Sequence, residues 1–164
     1  MDHVDKIVAQ WTQERPELDV GPMEVIGRIV RLANVLNQEM ERIFERHDLT
    51  AASFDVLATL RRSGAPFSLS PGALIGSTMV TSGTMTNRID RLVTAGLVER
   101  RGNPKDKRGF LICLTAAGHA LIDRVVEDHV ARQAKLVGAL SEEEREVLVK
   151  ITRNLTDAIG ALPE

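Results

Sequence analysis

Apolar residues recur at three- and four-residue steps over residues 23–46: Ile26, Ile29, Val30, Ala33, Leu36, Met40, Ile43 and Phe44. That spacing puts them on one face and predicts a long amphipathic helix. Ahead of it, Val4, Ile7, Val8 and Trp11 share a face of a shorter helix that Pro16 closes, with PELDVGP as the linker. Thr50 suits the N-cap of a third helix, AASFDVLATLRRS, which stops at Gly64. Ser70-Pro71 supplies a cap and then a proline in the first helical turn, opening a short helix through Leu74 and Ile75. Thr81 or Ser82 caps another, which runs to Gly96. The pattern then turns strand-like over 97–101 and again over 109–115 (GFLICLT), with a polar loop between. Thr115 caps a second long helix to about residue 140. Ser141 and Glu144 form a capping box for the last helix, which ends near Gly160.

A short helix, a turn and a capped second helix make a helix-turn-helix unit, and a hairpin directly after it makes the unit winged. The fold class is therefore mainly α with a small β-hairpin wing: a winged helix-turn-helix with N- and C-terminal dimerisation helices. Residues 1–48 hold an added helix and a dimer helix, 49–116 the DNA-binding lobe, and 117–164 the C-terminal dimerisation helices. The outer helices carry apolar faces that call for cover by one another and by a second copy of the chain.

Composition narrows the classes. The chain has 164 residues, 43% hydrophobic and 27% charged, which is globular rather than disordered. No apolar run approaches the roughly 20 residues needed to span a membrane, so no membrane role is expected. The N-terminal MDHVDKIVAQW has acids where a secretory signal carries basic residues, and the one cysteine, Cys113, excludes an internal disulfide. A cytoplasmic location is expected.

Charge changes the picture more. Residues 97–109 hold Arg100, Arg101, Lys105, Lys107 and Arg108 against Glu99 and Asp106, a net +3 on a chain of formal net charge −2. A hairpin tip so charged can reach phosphates or enter a narrow minor groove, where Arg is favoured. Asp106, two positions from Arg108, is placed to brace its guanidinium as a wing brace, and Gly109 lets the tip turn. The plain alternative is a solvated charged loop; the adjoining helix-turn-helix favours DNA.

On the helix before the hairpin, Met85, Ile89, Leu92 and Val93 form the apolar stripe. Gly83, Thr84, Asn87 and Arg91 lie opposite, with Thr86 at the edge and Thr81 and Ser82 at the start. Small and polar residues there suit close approach to phosphates and base edges. Asp90 also lies towards that face and would repel phosphate. Arg88 falls about 80° from the stripe's centre, flanking the buried side, where it needs an anion or carboxylate. A structural salt bridge is the simpler reading of Arg88 alone.

The segments SPGALIGSTMVTSGTMTNRIDRLVTAGLVERR and NPKDKRGFLICLTAAG, with Asp106-x-Arg108-Gly109 and the flanking long helices, resemble the MarR family of bacterial winged-helix regulators. The resemblance spans nearly the whole chain. It extends to a branch with an added N-terminal helix, which includes the urate-responsive regulators and the regulators of trans-aconitate methyltransferase genes. That branch places a Trp, an Asp and two Arg where this sequence has Trp11, Asp55, Arg88 and Arg100. The resemblance implies a ligand site at these four positions and a small anionic effector of the urate, citrate or aconitate class. Two arginines can grip an anion bidentately, an indole offers a stacking face, and Asp55 can hold an Arg when no ligand is bound. Otherwise Trp11 simply packs the added helix and Asp55 pairs structurally.

His3, His47, His119 and His129 lack metal-ligand spacing, and Cys113 reads as a small core residue rather than a redox sensor. No catalytic residue, metal or cofactor is expected. The sequence thus predicts a homodimeric repressor on a pseudo-palindromic double-stranded DNA operator, released by an anionic metabolite. The rivals are a winged-helix dimer used only for protein contacts and a small carboxylate-binding enzyme.

Overall fold

The computed structural model describes residues 1–77, 85–104 and 106–160, with backbone alone at Lys107 and Arg108. The chain runs α1 (His3–Glu14), α2 (Gly21–Glu45), α3 (Ala51–Arg62), β1 (Ser68–Leu69), α4 (Pro71–Ser77) and α5 (Met85–Thr94). It continues through β2 (Val98–Asn103), β3 (Asp106–Leu114), α6 (Ala116–Leu136) and α7 (Glu142–Gly160).

Local chemistry sets most of these limits. The Thr50 hydroxyl accepts the Ser53 N–H at 3.1 Å, and the Ser70 hydroxyl accepts the Ala73 N–H at 3.2 Å. Ser141 and Glu144 close the expected capping box, with bonds of 2.8 and 3.2 Å. Gly64 and Gly96 end α3 and α5 with φ of 78° and 70°, left-handed values that disfavour side chains with a Cβ. The N-cap expected at Thr81 or Ser82 lies outside the described residues. α2 begins at Gly21, earlier than the linker reading of PELDVGP allowed, because Pro22 sits in the first turn, where its missing N–H costs nothing. α6 ends at Leu136, short of 140.

The hairpin differs from expectation in two ways. Its strands reach into the charged run, with Asn103 opposite Asp106 and a bulge between Gly102 and Asn103. Ladder hydrogen bonds are made by the backbone, so charged side chains do not prevent them. A further short strand, β1, pairs antiparallel with β3, Ser68 opposite Cys113 and Leu69 opposite Ile112, giving a three-stranded sheet in the order β1-β3-β2. Gly109 lies within β3 rather than at the tip. Its value is space, since a Cβ there would meet the Asp106 carboxylate at 3.0 Å.

The core gathers Val56, Leu57 and Leu60 of α3, Leu74 of α4, Met85, Ile89 and Leu92 of α5, Val98 and Ile112 of the sheet, and Ile122 and Val125 of α6. Gly118 brings α6 tight against the entry to β2, where an added Cβ would stand 2.0 Å from the Leu97 carbonyl oxygen. The Thr115 hydroxyl closes the same corner by donating to the Gly96 carbonyl at 2.7 Å and accepting the Gly118 N–H at 3.0 Å. Cys113 is buried in β3.

α2 is joined to α6 by polar ties. Glu39 pairs with Arg132 of α6 and with Arg42, and His47 meets Asp128 at 2.8 Å. Beside them His129 stacks with Phe44 and lies tilted against Phe54. Its Nδ1 is buried with no hydrogen-bond partner among the described residues, while Nε2 lies 2.9 Å from the Gln133 amide. Burial holds the His129 pKa below its ordinary value. The unfolded chain then takes up the proton first, so stability falls as pH drops below the unfolded value of about 6.5 towards the depressed folded one. Above that window the group contributes no pH dependence. His129→Phe keeps the stacking and removes the proton; denaturant titrations from pH 7.5 to 5 should show a smaller acid-side loss in the variant.

The outer helices leave apolar faces bare. α7 buries no residue, and Val147, Val149, Ile151 and Ile159 are each more than half exposed. Along α2 only Ile43 and Phe44 are buried, while Val25, Ile26, Ile29, Val30, Leu32 and Val35 face outwards.

Candidate functional site

α5 presents the face read from the sequence. Met85, Ile89 and Leu92 point into the core and Val93 is half-buried; Thr86, Asn87 and Arg91 are exposed on the other side. The expected contacts at Thr81, Ser82, Gly83, Thr84 and Lys105 lie outside the described residues. So do the side chains of Lys107 and Arg108, and with them the bracing of Arg108 by Asp106. The β2–β3 hairpin stands directly after α5, and the two elements pack together, so their geometry is coupled. Below α5, an Arg62 guanidinium nitrogen donates to the Ser77 carbonyl at 2.5 Å, tying the end of α4 to α3.

Arg88 is half-buried on the flank of α5, and its Nη1 is enclosed without a hydrogen-bond partner among the described residues. A buried guanidinium N–H that donates to nothing is costly, and guanidinium offers donors only. The position therefore favours an acceptor, above all an anionic one. Arg100 projects from β2. Its Nη2 pairs with Asp90 of α5 at 2.6 Å, and its guanidinium carbon sits 5.5 Å from the centre of the Phe110 ring. Asp90 therefore does not stand bare on the α5 face, as its place on the helical wheel implied. Two sequence-distant residues, Asp90 and Phe110, share the surroundings of Arg100, and no motif marked either. Arg101 is likewise tied to Glu99. Such exposed pairs contribute about 0–1 kcal/mol to stability, so their weight here lies in local charge.

Asp55 is half-buried on α3. Trp11 lies on α1, which packs on α2, and the residue is 43% exposed. The structure thus ties Arg100 to Asp90 and Phe110, encloses one nitrogen of Arg88, and leaves the Trp11 indole open at the surface. Among the described residues no group of His, Cys, Asp and Glu is arranged to hold a metal ion, and no helix is long and apolar enough to cross a membrane.

Comparison with known proteins decides the family. The model of the MarR family matches residues 47–109, spanning α3 to the wing. The HTH-type transcriptional regulator PecS of Dickeya dadantii is 44% identical over 142 residues, 87% of this chain and 86% of that protein.

This chain belongs to the MarR family.

It is accordingly a DNA-binding transcriptional regulator, and its relatives are regulators rather than enzymes. Solved MarR-family structures share its fold. A mutant of MarR from Escherichia coli in complex with operator DNA aligns with a TM-score of 0.69 at 27% identity, covering 88% of this chain and 96% of that one. BpsR of Bordetella bronchiseptica, whose DNA binding is regulated by 6-hydroxynicotinic acid, aligns with a TM-score of 0.70 at 28% identity over 80% and 93% of the two chains.

Proposed function

We propose that this MarR-family protein is a cytoplasmic homodimeric repressor that holds a pseudo-palindromic operator and releases it when a small anionic metabolite binds beside Arg88. The observation that carries the effector half is Nη1 of Arg88, enclosed and without a partner among the described residues, on the inner flank of the DNA-facing helix. In this reading Thr81, Ser82, Gly83, Thr84, Thr86, Asn87 and Arg91 address the major groove, and Lys105, Lys107 and Arg108 reach the adjacent minor groove. Residues 49–116 form that lobe, while 1–48 and 117–164 pair two copies.

The anion would sit near Arg88 and Arg100, with Asp55 and Trp11 completing the site, as in the urate and trans-aconitate branch that the sequence resembles. Regulation of BpsR by an aromatic carboxylic acid supports an anionic effector in this family. An effector that favours a lobe spacing unsuited to successive grooves must, by linkage, bind less tightly when operator is bound.

The test is a thermal-unfolding screen against urate, citrate, the aconitates and 6-hydroxynicotinate. A ligand of the folded dimer at one hundred times its Kd adds about 2.7 kcal/mol and raises Tm by several degrees. The same compound should lower the DNA-bound fraction. A panel in which no anion shifts Tm, or a binder that leaves DNA binding unchanged, would refute the effector assignment.

A further inference from the structure

A line of contacts runs from the wing into α5. Asp90 stands one turn beyond Thr86 and Asn87 on the exposed side of α5, next to Arg91. Arg100 lies two residues from buried Val98 and opposite buried Ile112, so it extends the inner face of the sheet where that face leaves the core. From there Nη2 reaches Asp90 Oδ1 at 2.6 Å. Phe110, two residues from Ile112 on the same side of β3, lies beneath the guanidinium and limits the directions it can take.

A carboxylate on a helix that faces DNA opposes binding, because phosphate charge dominates the affinity. Paired with Arg100, Asp90 carries no local net charge, and its oxygen is turned towards the wing. We infer that Arg100 is a positioning residue for DNA binding: it holds and neutralises Asp90, so that α5 meets the phosphates without a bare negative charge. The inference rests on the reading of α5 as the DNA-facing helix and adds a means of regulation to it. An anion that draws Arg100 away uncovers Asp90, and repulsion of DNA follows without any displacement of α5.

A mutant cycle separates this from direct contact between Arg100 and phosphate. The full chain, with Arg100→Ala, Asp90→Asn and both together, is titrated against a duplex recovered by wild type from random DNA, at low and high salt. Arg100→Ala should weaken binding about tenfold at low salt, and less at high salt, where a bare carboxylate is screened within about 10 Å or less. The double variant should return to within about threefold of wild type, and Asp90→Asn alone should bind at least as tightly as wild type. Arg100→Lys, which keeps the charge but loses the planar fork, should fall between wild type and Arg100→Ala.

Because the pair is exposed, Tm should barely move in any variant; Arg100→Gln serves in place of Arg100→Ala should the latter unfold. A double variant as weak as Arg100→Ala shows that Arg100 touches DNA itself and overturns the inference. So does an Arg100→Ala affinity equal to wild type. Wild type that retains no duplex at all overturns the DNA-facing reading of α5 and this inference together, whereas tight wild-type binding without rescue overturns the inference alone.

Discussion

Deleting residues 141–164 will leave no stable dimer. α7 buries none of its residues within its own chain, yet it carries Val147, Leu148, Val149, Ile151 and Ile159. Full burial of one such side chain is worth about 1.5–3 kcal/mol, so α7 can contribute on the order of 5 kcal/mol or more per protomer to an interface. In the proposed dimer, the bare faces of α1 and α2, from Ile7 and Trp11 through Val25, Ile26, Val30 and Val35, would be the complementary surface of a second copy. An isolated helix of this length with charged flanks is marginal in water, so α7 needs such cover. Sedimentation of the shortened chain should give monomer or insoluble material. A folded dimer of the truncated protein would show that α7 is dispensable and that the interface lies elsewhere.

Arg88→Ala will abolish effector response while keeping most of the DNA affinity. Arg88 stands on the flank of α5, away from exposed Thr86, Asn87 and Arg91, and one of its nitrogens is enclosed. Hydrogen bonds to charged groups are worth about 1.5–3 kcal/mol each, so losing a bidentate grip raises the effector concentration needed for release by at least about a hundredfold. DNA affinity should stay within about tenfold of wild type, because no phosphate contact is removed. Trp11, the only tryptophan of the chain, should report effector binding to wild type by a change in fluorescence and give no such change in the variant. Loss of DNA binding in Arg88→Ala with normal effector binding would make Arg88 a DNA contact and move the effector site elsewhere.

Features governed by local chemistry could be read from the sequence. The caps at Thr50, Ser70, Thr115 and Ser141, the stops at Gly64 and Gly96, and the buried stripe of α5 depend on residues within one or two turns of each other. What escaped depends on closure of the fold. The two residues of β1 are too few for a periodic signal, and they become a strand only because β3 arrives beside them. Gly102, Asn103 and Asp106 read as loop because of the charged run around them, whereas the ladder that pairs them across β2 and β3 is made by backbone groups. Asp90 looked hostile to phosphate because its partner, ten residues on and across a turn, was invisible on a helical wheel. Arg88 and Arg100 were named as candidates from a family resemblance, but the enclosed nitrogen of one, without a partner among the described residues, and the ion pair of the other required the packing of α5 against the sheet.

The central claim is that two copies of α5 and the wing read a symmetric DNA site. Selection of random duplexes with the purified chain, followed by sequencing and sedimentation of the complex, tests it most directly. The account predicts enrichment of an inverted repeat with half-site centres about one helical turn apart, bound by two chains per duplex. Recovery of no enriched sequence, or of a single unrepeated site bound by one chain, would contradict it.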